Sequence, residues 1–224
     1  MTPYYEADGI TIYCGDCRAV LPGIAADVTV TDPPYGIGLG DHQGTALRHD
    51  GHHLVKQGYV SYDDTDENLR TIVVPAISTA LAITNGRGAV FVAGGKIGAF
   101  PEPACVGGIY LPSGCGRTCW GFTNFWPCLM YGGAPDLQKG SRHTVLKSTE
   151  AVKPNGHPCP KPIGWITWIV DLASRTGETV LDPFMGSGTT LVAAKQLGRR
   201  AIGIEREERY CEIAVRRLAQ GVLL

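Results

Sequence analysis

Short runs of β-branched and aliphatic residues recur along this chain, each stopped by glycine, aspartate or proline, with helix-compatible segments between them. That alternation favours an α/β architecture around a parallel sheet. The runs are Ile10–Cys14, Asp27–Thr31, Gly88–Ala93, Glu178–Leu181 and Arg200–Ile204. Helical periodicity is expected at Leu69–Ile83 (despite Pro75), Ile163–Leu172, Thr190–Leu197 and Glu207–Leu218. The last of these sets Cys211, Ala214, Val215 and Leu218 on one face and an i,i+4 pair, Glu212 and Arg216, on the other. From about Ala99 to Gly156 regularity fades, apart from a strand expected at Cys128–Tyr131. The 224 residues therefore read as a single domain, 1–224, with an irregular insertion at about 100–155.

Two strand ends carry chemistry. Asp32-Pro33-Pro34-Tyr35 follows the run DVTVT, and the prolines stiffen the segment and leave carbonyls that can only accept hydrogen bonds. A carboxylate beside a fixed carbonyl is a double acceptor for an –NH₂ group, and the Tyr35 ring can stack on a planar base. The competing reading is a rigid turn with Asp32 as a capping acid. The second is VLDPFMGSGTT, residues 180–190, where a strand meets a helix through Gly186 and Gly188. It lacks the Lys of a nucleotide P-loop, and the next strand ends in Glu205, where doubly wound folds place the acid that binds ribose hydroxyls.

Together, in this order, the motifs resemble the permuted beta group of DNA amino-methyltransferases, which make N6-methyladenine or N4-methylcytosine. YCGDCRAVLP (13–22), TNFWPCLMYG (123–132) and GHPCPKP (156–162) are similar to three further family segments. The resemblance implies a doubly wound, Rossmann-like sheet of seven strands, one antiparallel, in circularly permuted order. It implies S-adenosylmethionine as cofactor and double-stranded DNA as partner, with a target base flipped out of the stack. Asp32, Pro33, Pro34 and Tyr35 become the catalytic residues. Asp16, His157, Lys161, Pro162, Asp182, Phe184, Gly186, Gly188 and Glu205 become the cofactor contacts. Cys159 stands where the family has Thr. Asp at the first tetrapeptide position favours adenine N6 over cytosine N4. A non-catalytic, cofactor- and DNA-binding regulatory subunit is the alternative of another class. The function belongs with DNA methylation of the restriction-modification kind, and no endonuclease motif is visible.

Target recognition is left to residues 132–155, a short stretch that suits either a homodimer or a short target. Net charge is −1, but Arg117, Lys139, Arg142, Lys147, Lys153 and Lys161 outnumber Asp136 and Glu150 in one stretch, which would suit a phosphate-binding face. Cys14-x-x-Cys17 and Cys115-x-x-x-Cys119 admit a zinc reading, yet buried free thiols are expected, with no metal. His42, His49, His52 and His53 are read as part of a polar loop covering the site, with Arg48 or Lys56 near DNA, rather than as metal ligands. Pro127-Cys128 and Pro158-Cys159 echo cytosine-C5 chemistry, but the motif order differs and both cysteines are read as packing residues. No apolar run approaches the roughly 18 residues of a membrane span. MTPYYEADGI has no secretory character, so a cytoplasmic setting is expected.

Overall fold

The computed structural model describes residues 2–38, 62–114, 116–119, 121–135, 142–151 and 160–220. The chain opens with an antiparallel pair, β1 (Tyr5–Ala7) and β2 (Ile10–Cys14), then a short helix α1 (Cys17–Val20) and β3 (Val28–Thr31). A helix in three parts follows: α2 (Asp66–Asn68), a π turn (Leu69–Val73) and α3 (Val74–Ile83). The π turn lies just ahead of Pro75, which sits in the first turn of α3, where a missing N–H costs least. The middle of the chain forms β4 (Gly88–Phe91), β5 (Cys105–Tyr110), a hairpin of β6 (Gly116–Thr118) and β7 (Gly121–Thr123), β8 (Phe125–Tyr131) and β9 (Val145–Lys147). Then come α4 (Ile163–Ala173), β10 (Thr179–Asp182), α5 (Thr189–Gln196), β11 (Arg200–Glu205) and α6 (Glu208–Ala219).

The main sheet runs β1-β2-β11-β10-β3-β4-β8-β5-β9. From β2 to β4 the strands are parallel, and β8 is antiparallel to both β4 and β5. The expected seven strands with one reversed are thus β2 through β5, and the short strands β1 and β9 extend the two edges. Side chains alternate across the sheet as period two requires. Ile10, Ile12, Val28, Val30, Ala89 and Phe91 pack under α4, α5 and α6. Val90, Leu181, Ile204 and Leu129 face α1 and α3 on the other side. Both faces are covered, as a parallel sheet demands. The alternate threonines of β3 are buried but satisfied: Thr29 Oγ1 meets Thr84 Oγ1 at 3.1 Å, and Thr31 donates to Asp182.

Part of the stretch expected to be irregular is sheet. β5 pairs with β8 along its full length within it, and β8 begins three residues before the expected Cys128. Gly107 and Gly108 weaken the β signal of CVGGIY for a packing reason. A Cβ at Gly107 would run into the Thr144 carbonyl, and one at Gly108 into the Trp126 carbonyl. In the last helix Cys211, Ala214 and Leu218 are buried, Val215 packs beside them, and Arg216 lies 3.9 Å from Glu212. No helix among the described residues is long and apolar enough to cross a membrane.

Candidate active site

Four adjacent parallel strands end in acids along one edge of the sheet. In spatial order these are Asp16 just after β2, Glu205 at the end of β11, Asp182 at the end of β10 and Asp32 just after β3. Ligands of open α/β sheets bind outside this edge. A cleft of about 750 Å³, counted to its open mouth, runs along it between Asp16, Glu205, Phe184, Tyr62 and Asp32. It meets a smaller recess lined by Asp32, Lys161, Asp182, Gly186 and Thr190.

Each acid is held differently. Asp16 caps α1, accepting from Arg18 N at 2.9 Å, and its side-chain hydrogen bonds with Arg18 hold the carboxyl below its ordinary range. Glu205 accepts from Gly186 N at 3.0 Å and Glu207 N at 2.8 Å. Burial outweighs those bonds and pushes the Glu205 carboxyl up to about 7. Asp182 is buried; it accepts from Thr31 Oγ1 at 2.6 Å and Phe184 N at 3.1 Å, and burial raises it to about 6. The Thr31 bond ties β3 to β10 where both strands end.

Asp32 sits in a cluster of its own. Tyr35 Oη donates to Asp32 Oδ1, and Trp126 Nε1 donates to Tyr35 Oη at 3.0 Å. The two rings are tilted, with centroids 6.2 Å apart. Lys161 Nζ donates to Asp32 Oδ2 at 2.5 Å. Behind the tetrapeptide, the buried Asp64 carboxylate accepts from Gly36 N at 2.6 Å and Ile37 N at 3.2 Å, fixing the chain as it leaves Tyr35.

Most of the residues expected from the sequence meet at this edge, with three departures. Lys161, expected among the cofactor contacts, lines the recess but places its ammonium on Asp32. Gly188 serves packing: at φ +77° it caps α5, and a Cβ there would lie 2.7 Å from Ala214 Cβ of α6. Gly186 lines both hollows but gives its N–H to Glu205. Pro162 is the residue before α4, and Phe184 forms a wall of the cleft. His157, the polar loop at 41–56, Cys115, Lys139, Lys153 and Pro158-Cys159 lie outside the described residues. Of the basic stretch, Lys161 pairs with Asp32, Arg142 pairs with Asp171, and Lys147 is exposed at the end of β9. Among the described residues no group of three His, Cys, Asp or Glu could hold a metal. Cys14, Cys17 and Cys128 are free thiols, with Cys128 fully buried in the core.

Asp64 and Trp126 had no assigned role from sequence. Asp64 lies 29 positions beyond Tyr35, in a polar run (SYDDTDE) that marks no single acid. Trp126 stands within TNFWPCLMYG, a segment that resembles one of the family's, so its neighbourhood was legible and its bond to Tyr35 was not.

Residues 117–216 match the family described as DNA methylase, a span covering β8, α4, β10, the glycine turn and β11. YubD of Escherichia coli (strain K12), a methylase by name, is 31% identical over 209 residues, covering 92% of this chain and 88% of that protein. The chain belongs to the N6/N4 DNA methylase family. This methylase is also 50% identical over 62 residues to the Type II methyltransferase M2.DpnII of Streptococcus pneumoniae, covering 28% of this chain and 23% of that protein. Among solved structures, the M1.HpyAVI–SAM complex superposes with a TM-score of 0.67 at 21% identity, covering 93% of the methylase and 98% of that chain. The PvuII DNA methyltransferase (cytosine-N4-specific) superposes with a TM-score of 0.64 at 14% identity, covering 99% and 90%. These two likenesses establish the α/β methyltransferase fold.

Proposed function

We propose that this methylase transfers the methyl group of S-adenosylmethionine to the exocyclic amine of a flipped base in double-stranded DNA, adenine N6 in the first place. The observation that carries the reading is the position of Asp32. It stands between an acid-lined cleft suited to a nucleoside and a pair of aromatic rings suited to a base. The cleft fits the cofactor by its donor set. Glu205 offers carboxylate oxygens to a ribose diol, Asp16 offers a polar edge beyond it, and Phe184 and Ile72 give apolar walls for a purine. When bound, S-adenosylmethionine supplies the electrophilic methyl group, so the protein needs no metal for the transfer.

The remaining work falls to side chains around Asp32. The carboxylate accepts a hydrogen bond from the amine, drawing the nitrogen toward tetrahedral geometry and freeing its lone pair. As positive charge develops on that nitrogen, a preorganised carboxylate stabilises it more than it does the neutral amine. Tyr35 and Trp126 give the flipped base a surface to stack on, and Asp64 keeps Tyr35 in place through the following backbone. The β6–β7 hairpin projects from the same edge of the sheet with Phe122 82% exposed, placed to meet the duplex around the flipped base. Target recognition is assigned to residues 132–155, within one catalytic domain spanning 1–224.

The test is transfer of labelled methyl from the cofactor to unmethylated genomic DNA, followed by digestion to nucleosides. Label is expected in N6-methyladenine; label confined to N4-methylcytosine would overturn the adenine assignment. Asp32→Ala should abolish transfer while S-adenosylhomocysteine still binds, and unchanged turnover in that variant would remove Asp32 from the chemistry.

A further inference from the structure

Both oxygens of the Asp32 carboxylate already carry a donor. Tyr35 holds Oδ1, and Lys161 Nζ holds Oδ2 at 2.5 Å. The Lys161 side chain is only 5% exposed, and its nitrogen lies 4.7 Å from the Trp126 ring centroid and 5.5 Å from that of Tyr35. A carboxylate and two aromatic faces around one nitrogen form a cage that selects positive charge. In the transfer proposed above, the nitrogen that becomes positive is the target amine. The lysine ammonium occupies the position such a nitrogen would take.

We infer that Lys161 is a resident placeholder: its ammonium fills the amine's seat at Asp32 in the DNA-free enzyme and withdraws when the target base enters. The inference rests on the reading of Asp32 as acceptor for that amine. Two cationic nitrogens on one recessed carboxylate repel each other, so the lysine cannot stay in place as charge develops on the base. Withdrawal needs no refolding. The backbone is held on its C-terminal side by Pro162 and by α4, whose Trp165 and Ile166 are buried, so the movement is confined to rotamers of the four-carbon stem. Resting occupancy also has a purpose: it keeps a counter-ion beside a partly buried carboxylate, and it makes every base compete for entry. Lys161 is therefore a positioning residue whose departure is part of base capture.

Lys161→Met removes the ammonium and keeps most of the stem. The KM for unmethylated genomic DNA should fall, by about tenfold for a resting occupancy of about nine-tenths. In Lys161→Ala, ethylammonium chloride should compete with DNA, raising KM beyond a sodium chloride control of equal ionic strength and leaving kcat unrestored. A raised KM in Lys161→Met, or recovery of kcat by ethylammonium in Lys161→Ala, would overturn the placeholder and make the ammonium a working part of the transfer step. Binding of S-adenosylhomocysteine, followed by calorimetry, verifies that each variant is folded, and Lys161→Gln carries the same expectation if the methionine variant is unstable. Asp32→Asn separates the two levels. Its turnover should vanish, and if it persists the assignment of Asp32 fails and takes the placeholder with it.

Discussion

Cofactor affinity should depend on pH through Glu205. Its carboxyl accepts two backbone N–H groups, from Gly186 and Glu207, yet burial raises it to about 7. A ribose diol donates two hydrogen bonds to the ionised acid, whereas the neutral acid must spend one oxygen as a donor. With half-ionisation near pH 7, about nine-tenths of the molecules are ionised at pH 8 and about one-tenth at pH 6. If only the ionised form is competent, the apparent Kd weakens about tenfold between pH 8 and pH 6. Titration calorimetry with S-adenosylhomocysteine across that range measures it directly. Repeating the pH 6 titration in buffers of different ionisation enthalpy should show close to one proton released on binding. Glu205→Gln should bind more weakly and with no such slope. A wild-type affinity constant within about twofold from pH 6 to 8, or a slope that survives in Glu205→Gln, would refute the role given to this acid. The stability of the ligand-free protein has the opposite sign. Its folded state keeps a proton that the unfolded chain releases above its ordinary value of 4.5. This contribution is therefore complete below that value and is lost as pH rises through about 7, by at most about 3 kcal/mol.

Asp64→Ala leaves the N–H groups of Gly36 and Ile37 without their carboxylate; it should cost about 2 kcal/mol in urea unfolding and lower kcat as Tyr35 loses its fixed position. Gly188→Ala forces a side chain into the left-handed region and against Ala214, a loss of about 2–4 kcal/mol in the same assay. A change below about 0.5 kcal/mol would show that the turn relaxes freely. Phe122→Ala should raise the KM for duplex DNA about tenfold, within the range of one aromatic–base contact. It should leave the melting temperature and S-adenosylhomocysteine affinity alone, because the ring is 82% exposed.

The parallel heart of the sheet was legible because its strands announce themselves twice, by β-branched runs and by the acids or glycines that end them. β2 matches its expected bounds, β3 and β11 differ by a residue at one end, and β10 is shifted by one residue at both. Asp16, Asp32, Asp182 and Glu205 were each placed at a strand end from sequence, and the fold sets them side by side. The losses have physical causes. β5 was hidden because close backbone approach required glycine at 107 and 108, residues that read as loop. Lys161 was assigned by its motif neighbours, and no local pattern reports that its long stem reaches an acid 129 positions away. The bond from Trp126 to Tyr35 spans 91 positions for the same reason.

The strand order has a consequence for biogenesis. β2 and β3 are neighbours along the chain, yet β11 and β10 lie between them in the sheet. Until residues 179–205 have emerged from the ribosome, Asp16 and Asp32 have nothing to hold them on one edge. The nascent chain therefore carries its tetrapeptide long before it can seat a cofactor, and no shorter amino-terminal fragment can be an unregulated methylase. Of two separately expressed pieces, 1–150 would lack the central strands β10 and β11 and 160–224 would carry them without their neighbours β2 and β3, and activity restored on mixing them would report strand insertion directly.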